Sequence, residues 1–216
     1  MSAFSPARYN HLPGYADDIV ELGQALYING GVFVGHSVSA MVGILAAKKA
    51  RELFENLVLI GPSPRYIDDD GYIGGFSADQ IEELLDFLDS NHMGWSAAMA
   101  PAIMGNPDRP ELGEELTNSF CRTDPEIAKH FVRTTFISDN REDLAGLEAR
   151  ALVLQCRRTP SVLMSESARV KYRMGSSCVA AIHEKSSAAN VPFRLVSMLI
   201  KCVIVLIPSV SPSGLA

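Results

Sequence analysis

The residues best placed to do chemistry sit together in Gly35-His36-Ser37-Val38-Ser39. A short run, Val32-Phe33-Val34, leads into them, and small residues and helix formers follow from Val38 to Ala50. This is the layout of a nucleophile elbow, a strand-to-helix turn sharp enough to lift a serine hydroxyl clear of the backbone around it. Such a turn needs small residues on its flanks, and Gly35, Ser39 and Gly43 supply them. The last position of the Gly-x-Ser-x-Gly pattern is Ser39 rather than glycine. The plainer reading is a serine that merely opens a helix. A serine nucleophile needs a histidine base, and that base needs an orienting carboxylate. Of the five histidines, His36 adjoins the serine and should point away from it, and His11 precedes a turn. His92 and His130 fall in helical segments, which favours packing or solvated roles. His183 alone lies in the C-terminal region where a base belongs, but Ala-Ala-Ile-His-Glu-Lys offers no turn glycine to present it. Asp139 and Asp143 read as surface acids at a helix start.

The elements that must position Ser37 follow from periodicity. Apolar residues at helical spacing (Ile19, Leu22, Leu26) predict a helix over 15–26, opened by Leu12-Pro13-Gly14, with Asp17 and Asp18 in its first turn. Residues 32–34 and 57–61 read as buried strands around a helix over 38–50, a βαβ unit that implies a parallel sheet. A polar loop over 68–75 precedes helices over 77–91, 93–104, 109–121 and 124–136. Ser77 with Gln80 makes a capping box, and Asp124-Pro125 an N-cap with proline after it. Consecutive helices cannot extend a sheet, so these are expected to cover it. Residues 151–156 return as a strand.

Composition bounds the rest. With 216 residues, 47% apolar and 20% charged, the chain is sized for one globular domain. A net charge of −6 argues against nucleic acid as a partner. Four widely spaced cysteines, no CxxC pair and no apolar leader between Met1 and Leu12 read as reduced thiols in a cytoplasmic protein, with no metal and no cofactor. The charge is uneven. Residues 157–216 hold eight Lys/Arg and two Glu, whereas residues 1–156 hold 11 basic and 23 acidic residues. Residues 157–190 show no sustained period, and 195–207 read either as a buried strand or as an aggregation-prone segment, too short and too interrupted by Lys201 to span a bilayer.

Gly35-His36-Ser37-Val38-Ser39-Ala40-Met41 resembles the elbow of one α/β-hydrolase branch, which holds the sigma-B stress-regulatory hydrolases of RsbQ type and the strigolactone and karrikin receptors. Ser at position 39 is normal in that branch. The likeness continues through Gly61-Pro62-Ser63-Pro64-Arg65-Tyr66, Gly74-Gly75-Phe76, Gly94-Trp95, Asn106-Pro107-Asp108-Arg109-Pro110, Phe120-Cys121-Arg122-Thr123-Asp124-Pro125, Ser138-Asp139-Asn140-Arg141-Glu142-Asp143-Leu144 and Leu154-Gln155-Cys156. It implies an α/β class fold, a parallel sheet flanked by helices with a four-helix, V-shaped cap over an apolar pocket. Residues 1–66 would be part of the core, 67–137 the cap, 138–156 the return to the core, and 157–216 an atypical tail. Ser37 would be the nucleophile and the N–H of Val38 one oxyanion donor. Trp95, Met99, Phe120, Phe131 and Phe136 would line the pocket or pack the cap.

The resemblance also implies that strands and an oxyanion loop upstream of the chain's first residues are missing, and that the acid and base loops after Cys156 are replaced. Codons for Arg157–Met164, read one nucleotide out of frame, can spell Ala-Glu-Asp-Ala-Ile-Arg-Pro-Asp, which resembles the family's acidic loop; the tail is therefore expected to be frameshifted. Exposed sheet edges are then expected to make the chain poorly soluble. Two functions follow. One is a serine hydrolase for a small apolar ester or lactone, or a sensor of such a ligand in stress signalling, with this chain itself inactive. The other is a non-catalytic relative that binds a ligand or a signalling protein through its cap. No membrane or nucleic-acid partner is expected.

Overall fold

The computed structural model describes residues 4–156, 178–182 and 205–207. Its centre is a five-stranded sheet in the order β4-β3-β2-β1-β5. The strands are β1 (Gly31–His36), β2 (Phe54–Ile60), β3 (Arg150–Cys156), β4 (Cys178–Ile182) and β5 (Val205–Ile207). The first four run parallel, and β5 lies antiparallel on the outer edge of β1, with Phe33 opposite Leu206. Two of these strands come from the segment after Cys156, β4 within the aperiodic 157–190 and β5 within the apolar run 195–207; the frameshift expected there, and most of 157–216, lies outside the described residues.

Alternation along β1 sends Phe33 and Gly35 to one face and Val34 and His36 to the other. On the Phe33 face lie α1 (Leu12–Ala25) and α2 (Val38–Lys49). Nearly the whole of α2 is buried, so its small residues set how closely it approaches the sheet. A Cβ on Gly43 would stand 2.1 Å from the Phe33 ring, and one on Gly35 2.7 Å from the carbonyl oxygen of Ser39. The core continues through Ile44, Leu57, Leu59 and Val153.

The first helix begins at Leu12, earlier than its apolar spacing predicts. Pro13 and Gly14 fall inside the first turn, where the missing proline N–H costs nothing. Asp17 and Asp18 are therefore mid-helix. There they hold neighbours in place, Asp17 pairing with Lys49 of α2 and Asp18 with Arg8 and Tyr9.

Between β2 and β3 the chain leaves the sheet and forms α3 (Ala78–Ser90), α4 (His92–Met104), α5 (Pro110–Cys121) and α6 (Pro125–Ile137), then a single 3-10 turn over Glu142–Leu144. The Ser77–Gln80 capping box closes in both directions, and the Asp124 carboxylate accepts from the N–H groups of Glu126 and Ile127. The apolar faces of α3 and α6 meet around Phe136, while α4 packs on α3 through Leu88, Trp95 and Met99.

Replacing Gly43 with alanine should lower the unfolding free energy by about 1–3 kcal/mol, because the added methyl meets an aromatic ring that is itself fully enclosed. Urea unfolding followed by circular dichroism measures this, and wild-type stability in the variant would refute the close approach of α2 to β1.

Candidate active site

Ser37 stands between β1 and α2 with φ 55° and ψ −125°, left-handed backbone that a side chain other than glycine rarely adopts. Its N–H donates to the carbonyl of Ile60 at 2.9 Å, extending the β1–β2 ladder by one rung. Its carbonyl accepts from the N–H of Ala40 at 3.0 Å and so begins the helix. A serine at a helix N-cap ordinarily turns its hydroxyl back on the first-turn amides. This one does not: the side chain makes no capping bond. The hydroxyl lies instead 3.3 Å from the phenol oxygen of Tyr66. Val38, buried, heads α2, where first-turn N–H groups lack intrahelical acceptors and the helix dipole is positive.

Tyr66 carries no signal in the sequence that would tie it to Ser37. It reaches the serine because the loop after β2 folds back on itself, with Phe76 donating to the Tyr66 carbonyl at 3.2 Å and the Asp68 carboxylate accepting from Gly74 and Gly75. The ring is buried against Phe136 at 5.1 Å between centroids, and Phe76 in turn meets Phe136 edge-on. The helical layer thus touches the serine through one aromatic side chain.

The cap residues named from sequence divide into three places. Phe136 joins Tyr66 beside Ser37. Trp95, Met99 and Phe120 pack together between the helices, with Leu84 and Val132 touching both groups. Phe131 turns to the core, where its ring meets Tyr15 at 5.5 Å. A groove of about 920 Å³ opens elsewhere, between α4 and α5, lined by Pro101, Met104, Arg109, Gly113 and Thr117.

Among the described residues the Ser37 hydroxyl meets no histidine and no carboxylate. His36 is on the sheet face away from Phe33, and burial holds its imidazole below the ordinary range, hence neutral at pH 7. His130 packs edge-on to Phe4. His183 lies outside the described residues. Asp139 is not at a helix start: it pairs with Arg65 at 2.8 Å and with Arg141 at 2.6 Å. Asp143 sits in the 3-10 turn, accepting from Asn140. Among the described residues no group of three or more His, Cys, Asp or Glu could hold a metal ion, and no helix is long and apolar enough to cross a membrane.

The fold has counterparts among solved structures. A hydrolase from Oleispira antarctica superposes with a TM-score of 0.80 and 33% identity, over 92% of this chain and 75% of that one. The chain belongs to the α/β-hydrolase family. Its curated relatives include strigolactone and karrikin proteins. Strigolactone esterase D14 of Arabidopsis thaliana is 35% identical over 168 residues, which is 78% of this chain and 62% of that protein. Karrikin insensitive 2 receptor B of Petunia hybrida is 30% identical over 175 residues, 81% of this chain and 64% of the receptor. The chain thus spans somewhat less than two thirds of these two relatives. No family model matches it.

The titrating groups of this α/β-hydrolase set a sign for its acid response. His36 has a lowered folded value, and Asp69 and Asp139 are held below the usual carboxylate range, Asp69 by the Asp70 N–H and Arg141, Asp139 by Arg141. In each case the unfolded chain binds the proton first as pH falls, so stability present at neutral pH is lost on acidification. The melting temperature should drop in two stages, below about pH 6.5 for His36 and below about pH 4 for the aspartates. Thermal melts across pH 3–8 measure it; His36→Asn should remove the first stage, and a melting temperature rising on acidification would contradict the assignment.

Proposed function

We propose that this chain carries a serine-hydrolase site for a small apolar ester or lactone, with Ser37 as nucleophile and the N–H of Val38 as one oxyanion donor. One observation carries the reading. Ser37 is held in a strained conformation at the head of a helix that it does not cap, its hydroxyl turned to Tyr66 and away from the first-turn amides. In the reaction the serine oxygen gives its proton to water and bonds to the ester carbonyl carbon, and the C=O π pair moves onto oxygen beside the positive end of α2. The return of that pair breaks the bond to the alkoxide, which leaves and takes up a proton from water. Tyr66 acts as a positioning residue that fixes the rotamer of the serine hydroxyl. The aromatic surroundings formed by Tyr66, Phe76 and Phe136 suit an apolar ligand. The names of the relatives, strigolactone esterase and karrikin receptor, support the same ligand class and a sensing role, with a protein partner downstream. The cap over 67–137 and a cytoplasmic location fit this reading, in which Cys121 is a free thiol.

A second reading, binding without turnover, is favoured by the tyrosine, rather than a histidine, found at the Ser37 hydroxyl among the described residues. A fluorophosphonate probe followed by intact mass separates the two. Wild type should gain one adduct at Ser37, Ser37→Ala none, and Tyr66→Phe should react about two- to tenfold more slowly, the value of one hydrogen bond. A wild-type chain that stays unlabelled, yet melts higher with a butenolide lactone, would hand the site to the second reading.

A further inference from the structure

The helical layer is joined to the sheet by two connections, 61–77 on the way out and 138–149 on the way back. These pass side by side. The N–H of Asn140 donates to the carbonyl of Pro64 at 2.8 Å, and Arg65 forms an antiparallel bridge with Asp139. Over that backbone contact lie four charges of alternating sign. Arg65 pairs with Asp139 at 2.8 Å, Arg141 grips the same carboxylate at two points, 2.9 and 2.6 Å, and the Arg141 fork also reaches Asp69 at 2.8 Å. The Arg141 guanidinium lies over the Tyr72 ring, whose hydroxyl donates to the Arg65 carbonyl.

We propose that this cluster is a hinge clasp: it fastens the two connections of the helical layer to each other and, through Arg65, holds the adjacent Tyr66 hydroxyl on Ser37. An isolated surface pair would contribute little. Three features set this one apart. The Arg65 side chain is only 20% exposed. The Arg141–Asp139 contact is a two-point fork, the strong form of the ion pair. The bonds also join segments 72 and 74 residues apart in the chain, so breaking them frees two loops and not one. The position of Tyr66 leaves it little independence, because Arg65 is tied to Asp139 on one side and its own guanidinium donates to the Ile67 carbonyl on the other. Moving the hinge therefore moves the phenol.

The link to catalysis rests on the reading of Ser37 as nucleophile, whereas the clasp itself does not. Deuterium uptake is compared for the full chain, Asp139→Asn, Arg65→Met and the double variant. Each single change should speed exchange about tenfold in residues 66–76 and also in 138–144, with α2 and β1–β3 unchanged. The double variant should add little beyond either single one, as for partners in one network. Arg141→Lys, which keeps the charge and loses the fork, should fall between wild type and Asp139→Asn. Faster exchange confined to the substituted connection, or full additivity, would overturn the clasp. Fluorophosphonate labelling reads the other half: Asp139→Asn should slow reaction at Ser37 by the same factor as Tyr66→Phe, while Tyr66→Phe leaves exchange in 138–144 as in wild type. Unchanged labelling in Asp139→Asn would cut the link from hinge to serine. A wild-type chain without labelling would remove the nucleophile reading, and the exchange data would then decide the clasp alone.

Discussion

The close approach of α2 to β1 is the constraint from which the site follows. Phe33 presses against the gap left at Gly43, and Gly35 lets the backbone of Ser39 and Ala40 come within reach of the strand. Only at that separation can a single residue turn the chain from strand to helix, and that residue is forced into left-handed backbone. The strain is supported from both sides, by the rung to Ile60 and by the first helical bond from Ala40. Burial in the core and the strained turn at Ser37 are thus two results of one packing arrangement.

How much of this could be read from the sequence depends on the range of the interaction involved. The elbow and the caps of α3 and α6 are local: Gly35, Ser37 and Ser39 lie within five residues, and the Ser77–Gln80 and Asp124–Pro125 signals span one helical turn each. All of these are legible. The start of α1 differs by three residues because the opening signal Leu12-Pro13-Gly14 is itself the first helical turn, which admits both proline and glycine. Asp143 does lie in the first turn of a helix, the 3-10 turn, as a helix-start acid should, whereas Asp139 precedes that turn. Besides its neighbour Arg141, Asp139 pairs with Arg65, 74 residues away, and nothing in a linear pattern announces that partner. Tyr66 is hidden in the same way, because its contact with Ser37 exists only once the loop after β2 has closed. β4 is short and lies in a stretch without a sustained period, so its pairing with β3 defines it, whereas β5 falls within the apolar run 195–207, one reading of which is a buried strand.

The aromatic contacts show how the two layers share one interior. Tyr66 belongs by sequence to the sheet's loops and by packing to the helices, with Phe136 and Phe76 around it. Leu84 and Val132 extend that contact to the cluster of Leu88, Trp95 and Met99. A disturbance in the helices therefore has a continuous apolar route to the serine.

The adjacency of Pro64 and Asn140 has a consequence for how such a protein can change over time. Because the two ends of the inserted helices already touch, β2 and β3 keep the same boundary whatever is spliced between them. Helices can be lengthened, exchanged or rebuilt without disturbing the register of β2 against β3. Diversification of the roof is then uncoupled from preservation of the floor, and a lineage could explore new ligands at little risk to its fold.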